Sequence, residues 1–209
     1  LRITSEALVW TGGQSSEWTT TPEGGLRNWS LAGNPVEYSD GNSVSFNDSA
    51  SRFDVNFTQN VSPGSIVVDN SLNHYTFSST GNFGILTGSL TKAGTGILTL
   101  TTNNTYTGAT SIIGGTLEIS GGSIASSSSI VNNGELIINQ AAADIYANPI
   151  TGAGSVTKQG SSTLTLSGNN AFTGNFTLDG GRLNFNSTSA LGDGAGTIVI
   201  NGGSLDNTS

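Results

Sequence analysis

Carboxylates are the side chains best suited to chemistry in this sequence, since paired Asp or Glu residues can serve as acid and base in sugar hydrolysis. Asp40, Asp48 and Asp54 form the densest acidic stretch. Glu118 and Glu135 each lie beside an apolar residue that a strand would point inward, so both carboxylates are expected to face outward. Exposed carboxylates on neighbouring strands are typical of a solvated face. The sequence therefore predicts no catalytic residue and no enzyme, with a polysaccharide-acting enzyme kept as an alternative.

Metal and nucleophile chemistry have little material in this chain. His74 is the only histidine and cysteine is absent, which leaves no triad or zinc set to assemble. In YSDGNSVSFND, the oxygens of Asp40, Asn42 and Asp48 could hold calcium, but Asp-Gly-Asn is an ordinary turn and we favour that interpretation. We predict no metal and no cofactor, and we expect His74 in a turn or facing solvent.

Trp10, Trp18 and Trp29 are the candidate ligand-binding residues, and they are all the tryptophans in the chain. Planar rings can bury the face of a sugar, so these residues could bind a glycan or another host or cell-surface ligand. The competing interpretation, which we favour, is that they form the hydrophobic core of a cap.

Two lysines, Lys92 and Lys158, occupy the same place in two similar segments. They are separated by about three coils of the fold argued below, too far for a single ligand site. We interpret them as residues at an outer strand edge that discourage unwanted strand pairing.

Composition narrows the classes of partner. Among 209 residues there are 30 glycines and only 10% charged residues, with a net charge of −8. No basic patch is present to follow a phosphate backbone, so nucleic-acid binding is disfavoured, and an anionic membrane surface would repel the chain. No apolar stretch is long enough to span a membrane as a helix, so we expect no membrane insertion.

The elements that must position these residues are repeated strands. Gly88 to Ser120 and Gly154 to Asn186 agree at 15 of 33 positions without a gap, at an offset of 66 residues. Inside the first copy a step of nineteen recurs: Leu98 and Leu100 are followed by Leu117 and Ile119, and then by Leu136 and Ile138. A second series matches Thr110 and Ile112 to Ser129 and Val131, and to Phe176 and Leu178 across the longer offset. We interpret the offset as steps of 19, 19 and 28, the last containing an extra segment, ANPITGAGSVTKQG.

Coils of about twenty residues with short strands and Gly or Asn turns predict an all-β protein, a single-stranded parallel β-helix. Equivalent residues should form vertical apolar columns, with Leu98 over Leu117 over Leu136. The Asn pairs should lie at turns and satisfy turn backbone groups. We expect residues 1–62 to form an atypical first coil or cap, with strands around Val44 to Phe46 and Val55 to Phe57, and residues 63–209 to form the repeat region.

The two copies resemble the autotransporter-associated β-strand repeat, also called the passenger-associated transport repeat. The likeness rests on GSLTKAGTGILTLTTNNTYTG and GSVTKQGSSTLTLSGNNAFTG, with Ser162, Thr102 and Phe172 as small departures. The resemblance implies a right-handed β-helical passenger of a Gram-negative-type bacterium, extracellular or at the cell surface, in which the repeat helps folding and export. The C-terminal translocator barrel of such proteins is missing from this sequence, which would then be a fragment.

These observations favour a non-catalytic structural module, a stiff rod that aids export and folding and that could support adhesion. A carbohydrate-binding module that uses the tryptophans is the second hypothesis.

Overall fold

The computed structural model describes residues 6–20 and 27–207, and these residues form strands and turns without any helix. In chain order the strands are β1 (Leu8–Trp10), β2 (Glu17–Trp18), β3 (Trp29–Leu31), β4 (Asn34–Val36), β5 (Ser43–Asn47), β6 (Asp54–Phe57), β7 (Ser65–Asp69), β8 (Tyr75–Ser79), β9 (Leu90–Ala93), β10 (Ile97–Leu100), β11 (Thr110–Ile112), β12 (Thr116–Ser120), β13 (Ile130–Asn132), β14 (Glu135–Asn139), β15 (Asp144–Tyr146), β16 (Ile150–Gly152), β17 (Ser155–Gln159), β18 (Thr163–Leu166), β19 (Ala171–Phe172), β20 (Phe176–Leu178), β21 (Arg182–Phe185), β22 (Ile198–Ile200) and β23 (Ser204–Asn207).

The strands stack into three sheets that wrap one core. The first sheet has ten strands in the order β19-β16-β13-β11-β9-β7-β5-β1-β3-β4. The second has nine, in the order β2-β6-β8-β10-β12-β14-β17-β20-β22, and the third has four, in the order β15-β18-β21-β23. Neighbouring strands are parallel except in the pairs β1–β3 and β3–β4. The chain is a parallel β-solenoid of about 8 turns, and the predicted fold class is confirmed.

Apolar columns run along the inside, as predicted. Leu98 pairs with Leu117 and Leu117 with Leu136, while the neighbouring column joins Leu100, Ile119 and Ile138. All six side chains are fully buried. Burying each side chain of this size contributes about 1.5–3 kcal/mol, so the columns are the main stabilising feature of the rod.

The predicted register of the second series is wrong by one residue. Thr110 pairs with Ile130 and Ile112 with Asn132, rather than with Ser129 and Val131. The side of the coil that leads from the second sheet back to β13 is one residue longer than in the coil before, and the corner after β13 is one residue shorter. Because a slip of one residue exchanges the two faces of a strand, Val131 is 37% exposed and the side chain of Asn132 is inside.

The two repeat copies occupy different sheets. Leu98 stacks in turn on Leu117, Leu136 and Val156, so three coils advance the chain by 58 residues, fewer than the repeat offset of 66. The first copy therefore begins with β9 on the first sheet, whereas the second begins with β17 on the second sheet. The same rotation places Phe176 and Leu178 on the second sheet, away from the sheet of Thr110 and Ile112.

The interpretation of the offset as steps of 19, 19 and 28 is thus corrected. Residues 144–152 form β15 and β16, which are regular sides of the solenoid and pair with strands of the following coil. No extra segment is needed, because the second copy begins one side further around the coil than the first.

The N-terminal end departs from the repeated coil, as expected of a cap. Strands β1, β3 and β4 continue the first sheet in antiparallel pairs, and β2 pairs with β6 in the second sheet. The predicted strands near Val44 and Val55 are present as β5 and β6. The buried core extends from Leu8 to Ala190 and runs across the proposed boundary at residue 62.

Candidate functional site

The three tryptophans, the candidate ligand-binding residues, form one buried cluster at the capped end. Trp10 and Trp18 are fully buried and Trp29 is 2% exposed. The ring centroid of Trp29 lies 5.1 Å from those of both Trp10 and Trp18, in edge-to-face arrangements. Trp10 donates its indole N–H to the carbonyl of Arg52 at 2.9 Å. Trp18 also contacts four further rings, those of Tyr38, Phe46, Phe57 and Phe77.

This burial bears directly on the glycan hypothesis. A sugar that stacks on an indole needs one ring face in solvent, and the three rings instead face each other and the first coils. The geometry matches the alternative interpretation, a hydrophobic core for the cap. Ligand binding by Trp10, Trp18 and Trp29 stays an untested prediction that would require the cap to open.

The carboxylates considered for acid/base chemistry lie on the outside of the second sheet. Glu118 accepts hydrogen bonds from Thr99 Oγ1 and Asn139 Nδ2, both at 3.4 Å. Glu135 accepts one from Thr116 Oγ1 at 3.1 Å. Each carboxylate is thus held by polar side chains of adjacent strands, which is the solvated face that the sequence indicated.

The acidic turn residues of the N-terminal third cap backbone N–H groups. Asp40 Oδ1 accepts from the N–H of Ser62 at 2.7 Å, and Asn42 Oδ1 accepts from the N–H of Ser39 at 3.0 Å. The carboxylate of Asp48 accepts from the N–H groups of three consecutive residues in the next coil, and these bonds, that of Ser71 first, lower its pKa. The three calcium-ligand candidates are therefore occupied by turn backbone.

His74 has the same kind of role in its turn. Its Nδ1 accepts a hydrogen bond from the N–H of Ile97 in the next coil at 3.0 Å, and the ring is exposed. Among the described residues no group of three or more His, Asp or Glu side chains is placed to hold a metal ion. The same residues contain no helix of the length and apolarity that crossing a membrane would need.

The repeated lysines point inward, contrary to the interpretation that they guard an outer edge. Lys92 and Lys158 are both fully buried. The ammonium of Lys92 donates to the carbonyls of Ala93, Gly94 (3.3 Å) and Gly114 (3.5 Å), which belong to the corners of two successive coils. Lys158 repeats the contacts within its own corner, donating to the carbonyls of Gln159 and Gly160.

Burial of the two amines changes their titration. Desolvation lowers the pKa of Lys92 to about 8 from an ordinary 10.5, while the charges of Asp69 and Asp48 oppose the shift. Desolvation also lowers the pKa of Lys158. An inward lysine is tolerable only because backbone carbonyls at the corner accept its protons, a partner set that residue types alone do not reveal.

Each copy also contains a buried asparagine that joins three coils. Asn104 Oδ1 accepts from the N–H of Ile85 in the coil before, and its Nδ2 donates to the carbonyl of Ser123 in the coil after, at 3.0 and 3.2 Å. Asn170 does the same between Ile150 N–H and the carbonyl of Ala190, at 2.8 and 2.7 Å. The sequence placed the Asn pairs at turns, but it did not indicate that the second member of each of these two pairs is the inward one.

These contacts make the copies a mechanical site rather than a chemical one. The corner lysine, the asparagine and the inward aromatic ring (Tyr106 or Phe172) keep their roles although the two copies lie on different sheets. What the motif specifies is one corner and the side that follows it, independent of which face of the rod carries it.

Comparison with known proteins agrees with this geometry. Residues 90–119 and 156–185 each match a family model described as the passenger-associated-transport-repeat. Both segments lie within the two predicted copies, so the resemblance drawn from the sequence is confirmed. No curated protein and no solved structure matches the chain.

Proposed function

Because two passenger-associated transport repeats build corners of its solenoid, we propose that this chain is a non-catalytic structural module of an exported bacterial surface protein. Its work is to form a stiff rod whose stacked coils aid folding and export, at the cell surface or outside the cell. The single observation that supports this most is the conserved geometry of the two copies. Each copy uses a buried lysine and a buried asparagine to fix its coil to its neighbours.

A stacked solenoid suits this role for a physical reason. Each coil contacts only its neighbours, so folding can proceed from one coil to the next, and every coil added buries apolar surface on the preceding one. Folding of coils outside the membrane would oppose backward movement of the chain. The repeats, with their corner and side contacts, would make each addition favourable.

The experiment places the chain between a signal peptide and the translocator domain of a bacterial autotransporter and measures surface delivery by protease accessibility on intact cells. We expect Asn104→Ala combined with Asn170→Ala to reduce delivery several-fold. The exposed partners of the same pairs provide the control, Asn103→Ala with Asn169→Ala, which should leave delivery unchanged. Equal delivery of the two double variants, with the first shown to be less stable, would contradict a role of the repeats in export.

The carbohydrate-binding alternative predicts a different outcome in a separate assay. A glycan array probed with the wild-type chain would give specific signals that disappear in a tryptophan variant that remains folded. The buried positions of Trp10, Trp18 and Trp29 favour the structural role for these residues.

A further inference from the structure

The outer face of the first sheet differs from the rest of the surface in its charge. Ten strands form this sheet, and Asp69 is the only charged side chain that points outward from any of them, since Lys92 is inside. The strands of the second sheet carry four outward carboxylates, namely Glu17, Asp54, Glu118 and Glu135. The third sheet carries Asp144, Arg182 and Asp206.

Small side chains cover this uncharged face along its length. Strand pairing aligns one outward column down the middle of the sheet, which consists of Val9, Ser45, Val67, Thr91, Ser111, Val131, Thr151 and Ala171. Val67 and Val131 are 36% and 37% exposed, and Ile113, next to the column, is 60% exposed. Residues of this size leave a flat surface of methyl and hydroxyl groups that another flat surface can approach closely.

We propose that this face, the outward side of the first sheet, is where two copies of the chain associate. Each copy carries a net charge of −8, so two copies repel each other in most orientations. The outer face of the first sheet is the broad surface that can be covered without desolvating a row of carboxylates, and depletion of charge is what distinguishes the centre of protein interfaces. A twofold arrangement would place the same column on both sides of the contact.

The size of the face sets the strength of the contact. Ten strands at the usual spacing extend over roughly 43 Å, and three residues across a strand give a width of about 10 Å. The face therefore offers on the order of 450 Å² per copy, less than the roughly 800 Å² of a standard stable interface. We expect a weak, reversible dimer with a dissociation constant on the order of 0.1 mM.

Sedimentation equilibrium tests the proposal, with two matched variants of the full chain. Val131→Asp and Ile145→Asp each replace an outward aliphatic residue in the middle of a strand and add the same charge, but Ile145 lies on the third sheet. Val131→Asp should raise the dissociation constant at least about tenfold and Ile145→Asp less than about threefold. Ser111→Asp is a second variant on the proposed interface, and unchanged circular dichroism and melting temperature verify that all three variants fold.

Salt and the one carboxylate of the face give independent results. Raising the salt concentration should strengthen association, because it screens the repulsion between the two negative copies. Asp69→Asn should strengthen it as well. A chain that stays monomeric to about ten times the expected dissociation constant overturns the proposal, as does equal weakening by Val131→Asp and Ile145→Asp. A monomer that adsorbs to microcrystalline cellulose through a contact sensitive to Val131→Asp also overturns it and makes an uncharged glycan the occupant.

Discussion

At the scale of single residues, the asparagine that joins three coils gives the sharpest prediction. In Asn170→Ala, the N–H of Ile150 and the carbonyl of Ala190 lose their side-chain partners in a buried setting. Leaving buried polar groups unpaired costs about 1–3 kcal/mol each, so we expect a loss of roughly 2–4 kcal/mol in the free energy of unfolding. Hydrogen exchange at the amide of Ile150 should accelerate locally as well.

The adjacent residue provides the control for this prediction. Asn169 is exposed, and its side chain accepts from the hydroxyl of Ser189 at the surface. Asn169→Ala should change stability by no more than about 0.5 kcal/mol. Equal effects of the two substitutions would mean that the inward amide contributes nothing beyond a surface asparagine.

The buried lysine predicts a pH dependence with a definite sign. Because the pKa of Lys92 is lowered to about 8 from 10.5, the unfolded chain keeps a proton between these pH values that the folded chain has released. The stability of the wild type relative to Lys92→Met should therefore rise with pH across this window, in total by on the order of 2 kcal/mol, and should be level below about pH 7. Burial raises the pKa of tyrosines such as Tyr106, but both proteins share this effect and the difference cancels it.

Urea unfolding of the two proteins at a series of pH values measures this difference. A relative stability that falls with pH in the same window would show that the corner carbonyls hold the proton more strongly than burial expels it. Sequence reasoning had no access to this property, because it takes lysine as a surface residue unless a partner is known. The partners of Lys92 are carbonyl groups, which any residue supplies, so only the path of the backbone identifies them.

At the scale of strands and corners, the glycine that closes the first corner of a repeat is the position to test. Gly115 has a φ of +66°, and a Cβ at this residue would lie 2.4 Å from the carbonyl oxygen of Gly96 in the coil before. Gly121 has a φ of +80° with open space around it, so the two sites share the backbone strain and differ in packing. Both alanine variants should lose about 1 kcal/mol from strain, and Gly115→Ala should lose at least about 1–3 kcal/mol more because the coils must separate.

Thermal unfolding of the two variants measures the packing contribution directly. Similar melting temperatures for Gly115→Ala and Gly121→Ala would show that the coils can separate at this corner without cost. The result matters for the family motif, because Gly181 closes the equivalent corner of the second copy, where a Cβ would lie 2.4 Å from the carbonyl oxygen of Ser162.

Strand positions were predictable wherever apolar residues alternate, and less so where they do not. The columns of β10, β12 and β14 follow from the nineteen-residue step, since each strand alternates inward and outward residues. The register of β13 failed because the preceding GGSIASSSS offers one large apolar residue, Ile124, and no alternation to count. The rotation of the second copy failed for a related reason. Sides and corners that vary by one residue accumulate to a whole side over three coils, and sequence identity between copies does not record this.

At the scale of the whole molecule, the two ends of the rod differ in how they expose the core. The capped end covers its first coils with the tryptophan cluster, whose rings are 0–2% exposed. At the other end β22 and β23 are the last strands of their sheets, and Ile198, Ile200 and Leu205 are 40–53% exposed although they continue inward columns. Sequence reasoning located the cap by its tryptophans, whereas the burial of all three rings emerged from how β1–β4 fold over β5 and β6.

This asymmetry predicts the order in which the rod opens. Stability in stacked repeats is close to a sum of contacts between neighbouring coils, so an end with an exposed column should fray first. Amide hydrogen exchange should be fastest in β22 and β23 and slowest in the central coils around β12 and β14. Trp18→Ala removes a fully buried ring that contacts five other aromatic residues, at a cost of about 3–5 kcal/mol, and should make β5 to β8 exchange as fast as the opposite end.

A matched substitution at the opposite end completes the comparison. Leu205→Ala removes a side chain that is already 40% exposed and should change exchange only in β21 and β23, by a smaller factor. If Trp18→Ala instead accelerates exchange uniformly along the chain, the solenoid unfolds as a single cooperative unit. Coil-by-coil folding would then be wrong, and with it the physical reason for the proposed role in export.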